Sequence, residues 1–182
     1  LDVATGTGDL AIALARRIRD VQVMGVDLSE EMLAVARRKV EARGLDSRIV
    51  LERGDAEHLA VADASVDVAT GAFGVRNFGD LAAGLRELAR TIKPGGKVVI
   101  LEFSRPRNRV FRALYEFYSY KILPRIGGLV SRDKRAYEYL PASVGEFPAP
   151  AEFLGMMEKA GFRNCRAKSQ SCGIAQIYIG ER

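Results

Sequence analysis

The chain has 182 residues, 28 Lys+Arg against 23 Asp+Glu for a net charge of +5, and a single His. That length accommodates one domain whose core needs no disulfide or metal staple. With 48% hydrophobic and 28% charged residues the chain is not of a disordered type, and no apolar run approaches the ~18 residues of a membrane-spanning helix.

In chain order, short runs rich in Val, Ile and Leu predict strands at residues 1–4, 21–26, 48–52, 66–71 and 97–103. Helical patterns fall between them. Residues 9–18 carry apolar Leu10, Ile12, Ala13 and Leu14; residues 29–42 open on a Ser29 cap and end before Gly44. Residues 81–92 run into Lys93-Pro94-Gly95-Gly96, which reads as a helix stop and tight turn. Strand–helix alternation at this spacing implies parallel strands, right-handed crossovers and a three-layer α/β sandwich. Residues 151–160 predict a last helix stopping at Gly161. Residues 163–169 and 174–180 then predict two strands joined so closely that they form an antiparallel hairpin, for seven strands in all.

Residues 104–150 interrupt the alternation, and an insertion of this size is more often a lid or substrate element than idle loop. Within it, residues 111–139 carry Phe111, Tyr115, Phe117, Tyr118, Tyr120, Tyr137 and Tyr139, seven of the fourteen aromatic residues. Residues 105–135 hold nine basic groups and two acids, a local +7 that leaves −2 on the remainder. A basic, aromatic segment on a slightly acidic body points to one interacting face. Cys165 and Cys172 have no second pair and almost no His beside them, which excludes a zinc site or disulfide framework and fits a reducing, cytoplasmic setting. The N-terminus opens in mid-pattern, without Met or a signal peptide, and reads as a truncated start to a single domain spanning residues 1–182.

Gly6 and Gly8, in Ala4-Thr5-Gly6-Thr7-Gly8-Asp9, join the first strand to the first helix and let a ligand lie against the backbone. Asp27 closes the second strand, where a carboxylate accepts from ribose hydroxyls; Asp55 follows the third, where one accepts from an adenine amino group. Acids at successive strand ends line one crevice. Asp9 directly after Gly8, with no third glycine, disfavours a pyrophosphate, whereas a sulfonium tolerates acids. S-adenosylmethionine is therefore favoured over a nicotinamide dinucleotide.

With these residues in view, the sequence resembles the class I methyltransferases and, more narrowly, the ubiquinone/menaquinone biosynthesis C-methyltransferases. The generic blocks are 1–10 (LDVATGTGDL), 25–29 (GVDLS) and 93–96 (KPGG). The specific ones are 73–78 (FGVRNF), 101–106 (LEFSRP), 118–129 (YSYKILPRIGGL) and 137–148 (YEYLPASVGEFP). The resemblance implies methyl transfer from S-adenosylmethionine to a ring carbon of a polyprenyl quinol. It places cofactor contacts on Thr7, Asp27, Asp55, Ala56 and Ala72, with Gly6 and Gly8 shaping the loop; at Ala72, where some relatives carry Ser, the side chain offers no hydroxyl.

Carbon methylation requires an aligned ring, loss of a phenolic proton and a stabilised phenolate. Arg76 is expected to stabilise that phenolate or, as an ion-pair partner, to position its loop; Asn77 is expected to orient the ring oxygen. Phe73 is also expected on the substrate side, with Tyr118, Tyr137 and Tyr139 walling the pocket. His58, the lone histidine, reads as a helix-surface or cofactor-edge residue. A polyprenyl tail leaves a bilayer at a cost of roughly 0.8 kcal/mol per CH₂, so the basic insertion is expected to meet an anionic membrane surface rather than nucleic acid, making the protein peripheral to the membrane. A homo-oligomer is compatible with the sequence. The alternatives are a methyltransferase of another small molecule or of nucleic acid, and a noncatalytic membrane- or RNA-binding module that keeps the fold.

Overall fold

The structure is a computed structural model and describes residues 1–106 and 143–182. Its elements are β1 (Asp2–Val3), α1 (Asp9–Arg17), β2 (Val23–Asp27), α2 (Glu30–Glu41), β3 (Ile49–Arg53), β4 (Val66–Ala72), a 3₁₀ turn (Val75–Asn77), α3 (Leu81–Thr91) and β5 (Ile92–Phe103). After the insertion come α4 (Pro150–Lys159), β6 (Arg163–Gln170) and β7 (Ala175–Glu181). The strands form one sheet in the order β3-β2-β1-β4-β5-β7-β6. Pairings among β1–β5 are parallel; β7 runs antiparallel to both β5 and β6. The predicted class holds: an α/β sandwich with a mostly parallel seven-stranded sheet and a C-terminal hairpin.

Two apolar clusters hold helices to the sheet. One unites Ala11, Ile12 and Ala15 of α1 and Val40 of α2 with Val23 and Ile49. The larger brings Leu85 and Leu88 of α3 and Phe153 and Met157 of α4 onto Val3, Val98, Ile100 and Tyr178. Each of these Leu, Phe and Met side chains is fully buried, a burial worth roughly 1.5–3 kcal/mol apiece. The caps follow the sequence: Ser29 Oγ accepts from Met32 N–H at 3.2 Å, and Asp80 Oδ1 from Ala83 N–H at 2.9 Å.

Two places differ from the sequence expectation. The Lys93–Gly96 turn is absorbed into β5, which starts at Ile92 directly after α3. In the pairing with β4, Val66 faces Ile92 and Val68 faces Lys97, so four residues bulge opposite one. Arg182 causes this: its backbone exchanges hydrogen bonds with Gly95 N–H (2.8 Å) and Gly96 C=O (3.0 Å), drawing the turn into the sheet. The link from β3 to β4, where only the reading of His58 as a helix-surface residue implied a helix, contains none. Arg90 donates to the carbonyls of Leu59 and Val61 and to Asp63, and Glu87 accepts from Leu59 N–H, so α3 pins that link in place.

Candidate active site

Strand order reverses between β1 and β4, and at such a switch point the carboxyl ends of the strands part to form a crevice. Here it has two lobes that share Ala4, Asp27, Ser29, Gly74 and Asn77. One lobe, of about 550 Å³, lies between the Thr5–Asp9 loop, Met32 of α2 and Ala72–Phe73. The other, of about 410 Å³, lies between Leu28, residues 54–57 and Phe78–Gly79.

The first loop is organised by Asp27. Its Oδ2 accepts from Gly6 N–H at 2.8 Å and its Oδ1 from Ser29 N–H at 2.9 Å, so each oxygen keeps acceptor capacity toward the cleft. Gly8 has φ +77° and begins α1; a Cβ there would sit 3.1 Å from Ala36 Cβ, so both backbone and packing require glycine. Thr7 Oγ donates to Asp9 Oδ2 at 2.8 Å, and Lys39 Nζ donates to Thr7 Oγ at 3.1 Å and Asp9 Oδ1 at 2.5 Å. These bonds hold the Asp9 carboxyl below its ordinary range. The Asp9 charge that reads from sequence as an uncompensated obstacle to a pyrophosphate is therefore neutralised by Lys39. Discrimination against a dinucleotide falls instead to the missing third glycine.

Asp55 Oδ1 accepts from Glu57 N–H at 2.9 Å, folding residues 55–58 into a turn that presents Asp55 and buried Ala56 to the smaller lobe. His58 is exposed and lines neither lobe.

The opposite wall is strained. Phe73 directly follows β4 with φ +58° and Ala4 directly follows β1 with φ +49°, left-handed conformations that cost non-glycine residues of order 1–3 kcal/mol and concentrate at functional sites. Gly74 closes the gap between them: a Cβ there would lie 2.4 Å from Ala4 Cβ. Phe73 stacks on Phe103 with ring centroids 4.4 Å apart and still exposes 37% of its surface at the larger lobe. Ala72 lines the same lobe, and Asn77 reaches both.

Arg76 lines neither lobe. Its Nη1 pairs with Glu102 Oε1 at 2.8 Å and also donates to Phe73 C=O; its Nε donates to Ser143 Oγ at 3.2 Å. Its side chain is 9% exposed and that of Glu102 fully buried. Of the two expected roles, contact with a phenolate and positioning of the loop, this geometry favours the second. Tyr118, Tyr137 and Tyr139 lie outside the described residues, as does most of the basic stretch from 105 to 135.

Three residues that matter here were not singled out from the sequence. Asp2, 1% exposed, lines the larger lobe; its carboxylate accepts from Thr5 and Thr70 hydroxyls at 2.6 and 2.7 Å, and burial pushes its pKa up. Glu102 is the second, and both are acids inside apolar strand runs, a signal available in the sequence. Lys39 is the third, and nothing in the pattern of α2 distinguishes it. Cys165 packs at the edge of the core and Cys172 is exposed in the β6–β7 turn, both remote from the acids of the crevice.

The crevice fits S-adenosylmethionine on its own chemistry. Asp27 would hold vicinal hydroxyls, Asp55 and Ala56 the base, and Gly6, Thr7 and Gly8 the amino-acid end, where open space lies beside Gly6 Cα. Among the described residues no group of His, Cys, Asp and Glu forms a metal site, and no helix is long and apolar enough to cross a membrane.

Solved structures share this fold. A SAM-dependent methyltransferase from Aquifex aeolicus superposes with a TM-score of 0.72 at 20% identity, covering 100% of this chain and 80% of that one. Phosphoethanolamine N-methyltransferase 2 of Haemonchus contortus, solved with S-adenosyl-L-methionine, does so at 0.74 and 16% identity, covering 100% and 47%. Sequence relatives are nearer. The ubiquinone/menaquinone biosynthesis C-methyltransferase UbiE of Geobacter sulfurreducens is 48% identical over 100% of this chain and 71% of its own length. The demethylmenaquinone methyltransferase of Thermus thermophilus is 46% identical over 100% and 81%. The ubiE/COQ5 methyltransferase family matches residues 1–182. The chain therefore belongs to the ubiE/COQ5 methyltransferase family, and its methyl donor is S-adenosylmethionine.

Proposed function

We propose that the protein methylates a ring carbon of a polyprenyl quinol, a demethylmenaquinol or its benzoquinol counterpart. The observation that carries this reading is the match to the family over the whole chain, at 46–48% identity to relatives that bear those names.

S-adenosylmethionine, when bound, supplies an electrophilic methyl group on a sulfonium. The task left to the chain is to hold a quinol ring beside it, shed water and let a phenolic proton leave so that charge reaches the ortho carbon. Asp27, Asp55 and the Gly6–Gly8 loop orient the donor. Asn77, at the junction of the two lobes, has the amide donor and acceptor needed to orient a ring hydroxyl. Phe73, stacked on Phe103, offers an aromatic face to the ring. Arg76 acts on the turn that carries both; as a guanidinium it is too basic to take the proton.

The rim is apolar: Leu28 is 60% exposed, Met32 47% and Phe73 37%. Together with the +7 of residues 105–135, this supports reaction at an anionic membrane surface, where the prenyl tail remains in lipid. Reversing charge at Arg109, Arg112 and Lys121 should abolish flotation with vesicles containing anionic lipid; unchanged flotation refutes the membrane reading. The function itself is tested by incubating the protein with labelled S-adenosylmethionine and each quinol. Label on the ring of either product supports it, and transfer to neither overturns it.

A further inference from the structure

The Phe73–Asn77 turn lies at the meeting point of the two lobes, yet the groups that fix it lie behind the crevice wall. We propose that Glu102 is a positioning residue of the transfer reaction, its buried carboxylate fixing the Phe73–Asn77 turn through Arg76. The inference rests on the quinol-methylation reading and names a residue for which that reading gives no part.

Glu102 sits one residue from the end of β5, with a fully buried side chain that lines neither lobe. Three N–H groups converge on it. Arg76 Nη1 and Phe103 N–H donate to Oε1, each at 2.8 Å, and Arg76 backbone N–H donates to Oε2 at 3.1 Å. The carboxylate thus grips Arg76 by both main chain and side chain. Arg76 passes that grip on by donating to Phe73 C=O, at the residue held in a left-handed conformation, and to Ser143 Oγ. Its guanidinium also lies 5.4 Å from the centroid of the Phe103 ring, on which Phe73 stacks. One carboxylate therefore connects β5, the strained position after β4, the 3₁₀ turn bearing Asn77 and, through Arg76, Ser143.

A carboxylate is the group this arrangement needs, because only it presents two oxygens that accept without donating. Glutamine must turn its NH₂ toward at least one of the three donors, whichever way the amide is flipped. Stability alone does not require the pair, since well-packed apolar side chains replace buried ion pairs at little or no loss. What the pair adds is a fixed geometry for Asn77 and Phe73, and misplacement of a reacting group by about 1 Å costs about 100-fold in rate.

The test compares wild type, Glu102→Gln, Glu102→Asp and the apolar pair Arg76→Met/Glu102→Leu. Each is assayed for thermal midpoint, for S-adenosylmethionine affinity by calorimetry, and for kcat and KM on the quinol that wild type methylates. The expected result is a Glu102→Gln protein that binds the cofactor within about threefold of wild type but turns over about 100-fold more slowly. Glu102→Asp should recover most of that loss. The apolar pair separates stability from positioning: it should melt near wild type and remain slow. Turnover near wild type in a folded Glu102→Gln or apolar-pair protein overturns the proposal, as does a loss confined to cofactor affinity. A wild-type protein that methylates neither quinol is a failure of the function reading instead, and is seen before any variant is made.

Discussion

On the β1–β2 side of the crevice, Asp27 is held by two backbone N–H donors, and the loop it faces turns on glycines with left-handed dihedrals. On the β4 side the left-handed position is occupied by Phe73, and the hold on the turn comes from a side-chain pair 26 residues apart in sequence. The Gly6–Gly8 part of the first wall tolerates its geometry because glycine adopts it without strain, and Ala4 at φ +49° is the strained position on that side. The second adopts a costly conformation that surrounding contacts must enforce. One wall is thus pre-shaped by local chemistry, the other clamped by tertiary contacts, and the two should fail differently when mutated.

The largest loss is expected on the first wall. Asp27→Ala removes two charge-assisted bonds to the loop as well as the acceptor proposed for the ribose. The internal bonds, at roughly 1.5–3 kcal/mol each, should lower the thermal midpoint, and with the loop released and the acceptor gone cofactor affinity should fall by about 100-fold in calorimetry. If affinity is retained, the two walls do not divide their tasks as described. Gly74→Ala probes the seam between them. Its Cβ would meet Ala4 Cβ at 2.4 Å, and overpacking of this kind costs about 1–3 kcal/mol, readable as a lower urea midpoint together with slower turnover.

A smaller effect, away from the crevice, is expected at Arg90. Losing its bonds to Leu59, Val61 and Asp63 should cost about 2 kcal/mol and loosen the link that presents Asp55. There is a pH signature as well. Hydrogen bonds from Arg90 hold the Glu87 carboxyl below its ordinary 4.5. A depressed carboxyl contributes stability that is present above the unfolded value and lost as pH falls through the folded one. Arg90→Ala should therefore flatten the acid limb of stability below about pH 4.5, and an unchanged limb would show that the Leu59 N–H, rather than Arg90, holds the Glu87 carboxyl down. Least affected should be Lys39→Met. The Asp9 carboxylate it pairs with is 76% exposed, exposed pairs contribute about 0–1 kcal/mol, and cofactor affinity should move by only a few-fold.

The same contrast explains how much could be read in advance. The order of elements, the seven strands and the terminal hairpin follow from local apolar periods and from Gly and Ser stops, so their boundaries differ from expectation by a residue or two. The 92–103 strand is the exception, because Ile92 pairs with Val66 of β4 and Gly95 and Gly96 bond to Arg182, some ninety positions away. In the crevice, Gly6 and Gly8 were legible from the strand-to-helix loop they shape, and Asp27 and Asp55 because each stands at or just past the end of a strand. Asn77 was legible through its block, and the structure puts it at the junction of both lobes. Arg76 was legible as a residue but not in its role, since the choice between facing a substrate and facing Glu102 depends on how β4 and β5 pack.

By itself, the sequence determined a parallel α/β sheet, a cofactor edge with acids at successive strand ends, and membership in a quinone-modifying methyltransferase lineage. These are properties of short windows, where side-chain period, turn chemistry and residue spacing act locally. Only the tertiary structure decided that Asp9 is neutralised by Lys39, that α3 rather than a helix of its own holds the β3–β4 link, and that Glu102 governs Arg76. Each of those outcomes joins charges that lie 26 to 30 residues apart, and which partner a charged side chain takes is settled by packing and desolvation rather than by its neighbours in the chain.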